Sequence, residues 1–177
     1  MLLTRVPVIS IVGKSDSGKT SVLERLVREL VCRGYRVATV KHHKHEVDID
    51  VPGKDSWRHA RAGAAVTMVS SPSQFAVISR VERERSLAEL IEAAGDVDIL
   101  ITEGYLRSGP VRIEVSRRAR STEAVLQPEE RFALVTDNPD LDSGECPRFG
   151  LDDAGGLADL VETHFLASTS RRVRHGD

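Results

Sequence analysis

The hydrophobic pattern begins with a short apolar run, Val8 to Val12, that stops at Gly13. Such a run, rich in β-branched residues, is typical of a buried strand. From Gly18 to Arg33, apolar residues recur three and four positions apart, which predicts an amphipathic helix that Gly34 ends. A second β-branched run, Arg36 to Val40, predicts another strand. The order strand, helix, strand predicts a right-handed crossover and therefore a parallel pair.

The rest of the pattern adds a hairpin and further alternating elements. Residues 65–69 and 75–81 predict two strands, and the Ser/Pro-rich link between them predicts an antiparallel hairpin. Ser86 and Glu89 match a capping box that opens a helix ending near Ala94. We expect further strands at 97–102, 111–115 and 132–136, a loop at 137–150 and a last helix at 154–166. The pattern therefore predicts an α/β fold: a mainly parallel sheet flanked by helices, with an antiparallel hairpin insertion.

Length and composition fit a globular protein. The chain has 177 residues, of which 40% are hydrophobic and 29% charged, which suggests one domain with a sizeable core. We expect that domain to cover residues 1–167. Residues 168–177 are polar and arginine-rich, so we expect a disordered tail.

Charge and cysteine content narrow the classes of partner. A formal net charge of −2 provides no global attraction to nucleic acid or to an anionic membrane, so we expect neither as a partner. No apolar run is long enough to span a bilayer, and the N-terminus does not resemble a signal peptide. The two cysteines form no C-x-x-C pair. These features predict a cytoplasmic protein.

The segment from Gly13 to Thr20 reads G-x-x-x-x-G-K-T, the phosphate-loop signature. Its two glycines permit a tight turn, and successive backbone N–H groups then form a nest for an anion. Lys19 places a charge on the outer phosphates, and the Thr20 hydroxyl reaches a magnesium ion. The position after a strand and before a helix predicts a nucleoside triphosphate site in a phosphate-loop NTPase domain.

The candidate nucleotide-binding residues of this loop are Gly13, Lys14, Ser15, Asp16, Ser17, Gly18, Lys19, Thr20 and Ser21. A lysine at position 14 reaches the nucleotide of a second subunit in some dimeric ATPases, although their loops carry glycine where this one has Ser15 and Asp16. Asp16 puts a negative charge inside an anion site. We therefore expect either that its side chain faces away from the phosphates or that the affinity for the nucleotide drops.

A magnesium–phosphate site needs a carboxylate that faces the loop, and the strand at 97–102 offers two. Asp98 and Glu103 lie five positions apart, or roughly 16 Å along a strand. Only the carboxyl end of a parallel strand meets the phosphate edge, which favours Glu103. Glu103 is thus a candidate magnesium ligand and a candidate catalytic residue that orients a water. The alternative is a strand-end carboxylate that stabilises a turn.

The polar segment after the second strand carries histidines and carboxylates. His42, His43 and His45, with Asp48 and Asp50, offer donors for a transition metal. Their spacing is not a standard zinc pattern, so we favour a basic rim near the phosphates.

Three further residues have two interpretations each. Lys41, at a strand end, either neutralises a phosphate or is solvated. Asp55 either caps a short helix or contacts magnesium or a catalytic water. Asp137 follows the strand at 132–136 and either binds a base or forms a plain turn, since the N-K-x-D guanine motif is absent.

Several motifs together resemble the molybdopterin-guanine dinucleotide biosynthesis protein B (MobB) family. These are the phosphate loop, Lys41-His42-His43-Lys44-His45, Asp48-Ile49-Asp50, Pro52-Gly53-Lys54-Asp55-Ser56, Arg61-Ala62-Gly63-Ala64, Val69-Ser70-Ser71, Glu103-Gly104-Tyr105 and Ile113-Glu114-Val115. The phosphate loop alone is unspecific. The order and spacing of the block at 41–56 make the resemblance specific.

The resemblance implies a GTP-binding homodimer that uses Mg²⁺ and is at most a slow GTPase. It implies an accessory role beside the molybdopterin guanylyltransferase, and beside other molybdenum cofactor proteins, in forming molybdopterin guanine dinucleotide. It also implies phosphate contacts from the loop, a metal near Glu103 and functional roles for Lys41, Asp48, Asp50 and Asp55, with Asp48 a candidate metal ligand. Two departures are Asp16, where glycine is frequent, and Leu106-Arg107, where a lysine is frequent.

Three other functions compete with this interpretation. A phosphate-loop small-molecule kinase would need an arginine-bearing lid over the phosphates, and the chain has no long insertion of that kind. A non-catalytic adaptor would bind the nucleotide without hydrolysis. A metal-insertion GTPase would use the histidine cluster.

Overall fold

The computed structural model describes residues 6–43, 45–106 and 109–167. Residue contacts divide the chain into two compact units, Met1–His42 with Ile91–Asp177, and His43–Leu90. The prediction of a single domain over 1–167 stays a prediction. The tail predicted at 168–177 lies outside the described residues.

The first unit contains a six-stranded parallel sheet in the order β2-β5-β1-β6-β7-β8. Its strands are β1 (Val8–Val12), β2 (Val37–Lys41), β5 (Ile99–Glu103), β6 (Val111–Ser116), β7 (Ala133–Thr136) and β8 (Arg148–Phe149). Two helices belong wholly to this unit, α1 (Lys19–Cys32) and α4 (Ala154–Val161), and a π-helical turn, Glu162–Leu166, extends α4. A short 3-10 helix covers Pro128–Glu130. The predicted parallel sheet is confirmed.

The core lies between the sheet and the pair α1 and α4. Ile9 and Ile11 of β1 pack with Ile99 and Ile101 of β5 in one cluster, which also takes in Leu26 of α1. Alternate residues point to opposite faces of a strand, so Ser10 lies on the other face of β1. It is buried and accepts a hydrogen bond of 2.8 Å from the Thr102 hydroxyl. Both faces of β1 are therefore buried, as expected of a central parallel strand.

The second unit contains α2 (Asp55–Arg61) and the antiparallel hairpin of β3 (Val66–Ser70) and β4 (Phe75–Ser79). Its last helix, α3 (Leu87–Ala94), runs across the boundary between the units. The Ser86 backbone N–H donates to the Glu89 carboxylate at 2.9 Å, which confirms the capping box. Arg83 also binds Glu89, and these contacts hold the pKa of the Glu89 carboxyl below its usual value. The hairpin insertion is likewise confirmed.

Two local predictions are wrong. Residues 137–150 are not all loop, because Arg148–Phe149 forms β8 beside β7. Asp55 does not cap α2, because Lys54 occupies the N-cap position with an extended backbone (ψ 160°) and makes no side-chain cap. Asp55 is already the first helical residue. It still places negative charge at the positive end of the helix.

Candidate functional site

The phosphate loop joins β1 to α1 with a backbone that requires glycine at two points. Gly13 has φ +148°, and a Cβ there would lie 2.2 Å from the Val115 carbonyl oxygen of β6. Gly18 has φ +92° and forms the N-cap of α1. Both conformations are available to glycine without steric cost. The loop therefore rests against β6 and directs the N-terminus of α1 to the carboxyl edge of the sheet.

Ser17 is a buried residue of the loop itself. The residue is 2% exposed, and its hydroxyl oxygen has no hydrogen-bond partner among the described residues. A buried polar atom without a partner is costly. The Ser17 hydroxyl is thus available to a group that the loop encloses, which fits the predicted anion nest.

Lys19 folds back over its own loop. Its ammonium donates to the Gly13 carbonyl at 3.2 Å and to the Lys14 carbonyl at 2.6 Å. Burial lowers the pKa of the Lys19 ammonium from its ordinary value, an effect that nearby Glu103 opposes and nearby Lys41 adds to. Lys19 therefore carries a partly desolvated charge at the mouth of the loop, where an anion would meet it.

Thr20, Glu103 and Lys41 form one connected group. The Thr20 hydroxyl lies 3.1 and 3.0 Å from the two carboxylate oxygens of Glu103. The Lys41 ammonium lies 3.0 Å from Glu103 Oε1. The Glu103 side chain is only 12% exposed, against 54% for Lys41. The carboxyl ends of β2 and β5 thus meet the first turn of α1, as the edge argument predicts.

The chemistry of this group fits Mg²⁺ and a triphosphate. A hydroxyl and a carboxylate are hard oxygen donors of the kind that Mg²⁺ prefers. The nest of backbone N–H groups and Lys19 provide the positive potential that phosphates need. Asp98, the rejected candidate, accepts from the Arg36 backbone N–H at the amino end of β5. It therefore lies away from the loop, at the opposite end of the strand.

A segment that sequence reasoning missed, Arg117–Glu123, contacts the phosphate loop from the β6 side. The Arg120 guanidinium donates to the Ser15 carbonyl at 2.9 Å. The Lys14 ammonium donates to the Ser121 hydroxyl at 2.6 Å and lies 3.1 Å from the Glu123 carboxylate. In this structure Lys14 therefore contacts its own chain. The arginines that follow the strand predicted at 111–115 were the available signal.

A buried ion pair anchors this segment. Glu114 and Arg131, both nearly inaccessible, lie 2.8 Å apart. Glu114 also accepts from the Val125 and Leu126 backbone N–H groups, at 2.6 and 3.3 Å. Arg131 in turn donates to the Leu126 carbonyl at 2.7 Å. Because both charges are fully hydrogen-bonded, the pair fixes the end of the segment that holds Lys14 and Arg120.

Asp16 and Ser21 are exposed members of the loop region. Asp16 adopts φ +59°, a left-handed conformation that Asp tolerates better than most residues. Its carboxylate accepts a hydrogen bond from the Ser15 hydroxyl at 3.3 Å. Asp16 nevertheless acts on Lys19 electrostatically, since it raises the lysine pKa. The expectation that its side chain faces away from the phosphates stays a prediction.

Asp137 follows β7 at the same carboxyl edge. Its carboxylate accepts a hydrogen bond of 2.6 Å from the Arg118 backbone N–H. That contact joins the end of β7 to the segment Arg117–Glu123, 19 positions earlier, and is not a local turn interaction. A base-binding role for Asp137 stays a prediction.

The second unit holds Asp48 and Asp55. The Trp57 indole N–H donates to Asp48 at 2.9 Å, and Asp55 lies 3.7 Å from Arg58. Across the described residues, no group of three or more His, Cys, Asp or Glu side chains is arranged to hold a metal ion. The metal role of Asp48 and the catalytic role of Asp55 stay predictions. Arg107, one of the departures, is outside the described residues.

Comparison with known proteins gives a consistent family. The family described as "Molybdopterin guanine dinucleotide synthesis protein B" matches residues 8–137. The molybdopterin-guanine dinucleotide biosynthesis adapter protein of Escherichia coli K12 is 31% identical over 89% of this chain and 93% of its own length. The adapter protein of that name from Haemophilus influenzae is 29% identical over 89% of each chain.

Solved structures give the same result. A crystal structure described as molybdopterin-guanine biosynthesis protein B is 32% identical, covers 88% of this chain and 98% of its own, and superposes with a TM-score of 0.66.

Among the described residues, no helix has the length and apolar character needed to cross a membrane.

Proposed function

Because the chain belongs to the molybdopterin guanine dinucleotide synthesis protein B family, we propose that it is a GTP-binding adapter in the formation of molybdopterin guanine dinucleotide. The observation that supports this most directly is the phosphate loop with the Thr20 hydroxyl against the Glu103 carboxylate at 3.0 Å. The names of the similar bacterial proteins give the pathway. The loop gives the ligand class, a nucleoside triphosphate.

In this proposal the chain's own groups divide the work on GTP. The backbone N–H groups of Gly13–Thr20 and the Lys19 ammonium bind the phosphates. Thr20 and Glu103 would hold Mg²⁺, which when bound supplies positive charge to the phosphate oxygens. Lys41 neutralises further negative charge at the same edge. Asp137 is the candidate for contact with the base.

We propose at most slow hydrolysis. Glu103 lies at the carboxyl end of β5 beside the first turn of α1, and both its oxygens accept from Thr20. We expect a carboxylate held in this way to act mainly as a metal ligand. The orientation of a water molecule would be a secondary role. Nucleotide binding, rather than turnover, is then the property that an adapter uses.

The names of the relatives, adapter proteins of molybdopterin-guanine dinucleotide biosynthesis, support a setting among the proteins of that pathway. The partner is the molybdopterin guanylyltransferase, with other molybdenum cofactor proteins as further partners, and the protein acts as a homodimer in the cytoplasm. Within the described residues, Cys32 and Cys146 are free thiols, which is compatible with a reducing compartment.

Two measurements test the proposal. Calorimetric titration with GTP and with ATP in the presence of Mg²⁺ should show a preference for GTP, with turnover far below the typical enzyme value of about 10 s⁻¹. A reconstituted assay of guanine dinucleotide formation should run faster with the protein than without it. A strong preference for ATP, or an assay rate that does not depend on the protein, contradicts the proposal.

A further inference from the structure

The second unit contains a cavity that the nucleotide site does not use. It has a volume of about 380 Å³ and lies between the segment before α2, α2 itself and β4. Ligand cavities typically measure about 300–1,000 Å³, so this one is large enough for a small heterocycle. Its polar lining includes Asp48, Asp50, Trp57, Arg61 and Arg80. All of these residues belong to the unit His43–Leu90.

One wall of the cavity suits a flat ring. Trp57 provides an aromatic plane, and the Arg61 guanidinium carbon lies 5.5 Å from the centre of that ring. Its indole N–H donates to Asp48, which fixes the orientation of the ring. Aromatic and guanidinium planes both stack on heterocycles. A planar ligand would therefore find a preorganised platform.

The carboxylates of the cavity can accept hydrogen bonds from two neighbouring N–H groups of a ligand. Asp48 uses one oxygen for Trp57, and an ionised carboxylate has about four acceptor positions. Asp50 accepts from the Val51 backbone N–H at 2.7 Å, while its Oδ2 is buried and finds no partner in the part of the chain that the structure describes. An unpaired buried carboxylate oxygen is costly. A ligand with N–H donors on one edge would satisfy it.

The arginines argue against a metal ion and for an anionic substituent. Two cations, Arg61 and Arg80, line the same cavity as three carboxylates, Glu46, Asp48 and Asp50. The Arg80 guanidinium donates to the Ala60 carbonyl at 2.7 Å, which leaves other N–H donors of its fork for an anion. Nowhere in the described residues do three or more acidic, histidine or cysteine side chains form a metal-binding group.

We propose that this cavity binds a 2-amino-4-oxopyrimidine ring, the edge that guanine and pterins share, with an attached anionic group. The ring N–H and the adjacent 2-amino group donate to Asp48 or Asp50, the ring stacks on Trp57, and Arg61 and Arg80 bind the anion. The choice of a pterin as the natural ligand rests on the proposed function. The proposed recognition of the 2-amino-4-oxopyrimidine edge rests only on the residues that line the cavity.

Trp57 makes the test direct, because it is the only tryptophan of the chain. Pterin-6-carboxylate should quench its fluorescence saturably in the full-length protein. Lumazine-6-carboxylate, which carries a carbonyl in place of the 2-amino group, should bind about tenfold more weakly or worse, because that oxygen faces a carboxylate. In the guanine arm, GMP and XMP are compared in the Lys19→Ala variant, so that binding at the phosphate loop does not contribute.

Variants add a second readout. Asp48→Asn keeps an acceptor for Trp57 but loses the charge, so pterin binding should weaken about tenfold. Asp50→Asn should act in the same direction. Glu82→Gln is the matched control, since Glu82 is exposed in the same unit and does not line the cavity. It should leave quenching unchanged.

The outcomes separate cleanly. Stronger binding of pterin than of lumazine, or of GMP than of XMP, with loss in Asp48→Asn, supports the inference and identifies the source of the ring. Equal binding of amino and oxo rings, no saturable quenching, or quenching unaffected by both Asp variants overturns it. The difference in GTP affinity between the parent protein and Lys19→Ala tests the proposed function separately, because Lys19 belongs to the phosphate loop and does not line this cavity.

Discussion

The Thr20 hydroxyl donates to Glu103 across 83 positions of sequence, at 3.0 and 3.1 Å from its two carboxylate oxygens. The contact joins the first turn of α1 to the end of β5, which pairs with β1 on one side and with β2 on the other. It brings together two oxygen donors of the kind that bind Mg²⁺. Lys41 completes the group from β2. The contact therefore gives the proposed nucleotide site its acidic side.

Glu103→Gln should lower the affinity for GTP about tenfold in the presence of Mg²⁺ and much less in its absence, because the amide is a poor ligand for a hard cation. Calorimetry at several Mg²⁺ concentrations measures this. Thr20→Val should have a similar effect, and the double variant should add little, since the two groups act together. Glu24→Gln, an exposed position on α1, is the control. Simple additivity of the two variants would contradict a shared metal site.

Lys19→Ala should weaken GTP binding about 30-fold or more, because it removes a half-buried charge from the phosphates. Arg28→Ala, exposed on the same helix, should change little. Burial lowers the pKa of Lys19 in the free protein. GTP affinity should therefore fall as the pH rises, and the fall should begin at a lower pH than the deprotonation of an ordinary lysine would cause. The Lys19→Ala variant should not show this pH dependence. GTP titrations between neutral and alkaline pH measure both effects.

Asp16→Asn should strengthen GTP binding about threefold or more, because it removes a negative charge from an anion site. Asn tolerates the left-handed conformation that Asp16 adopts, so the loop backbone should stay unchanged. Asp16→Gly should behave in the same way. If both variants bind GTP no better than the parent protein, the Asp16 charge is not felt at the phosphates.

Glu114→Gln should lower the free energy of unfolding by about 3–5 kcal/mol, because Arg131 is then left charged and buried without its partner. Urea denaturation measures the loss. The exposed pair of Arg36 and Asp96 is the comparison, and Asp96→Asn should cost only about 0–1 kcal/mol. Equal losses at the two sites would show that burial does not determine the contribution of the Glu114 pair.

The sequence predicted which groups meet at the candidate site, because the signals for these groups are local. The phosphate loop is a contiguous motif, and Glu103 follows from the rule that parallel strands meet a ligand at their carboxyl ends. Element bounds were also close, as for α1 and β6. These elements depend on apolar residues that recur at regular spacing, and that spacing can be read directly from the sequence.

The rest depends on contacts that no short pattern encodes. Arg120 reaches the Ser15 carbonyl from an irregular segment, so neither spacing nor alternation indicates the contact. The strand β8 has two residues and owes its existence to pairing with β7. The cavity around Trp57 combines residues from 46 to 80, and only the folded unit reveals which of them share a wall.

The central place of β1 has a consequence for how the nucleotide site opens. All five residues of this strand are buried, and it is hydrogen-bonded to β5 on one side and to β6 on the other. Its amide protons should therefore be among the slowest of the sheet to exchange with solvent. A nucleotide that binds at the end of β1 should slow their exchange further, because it stabilises the folded state in which this strand is buried.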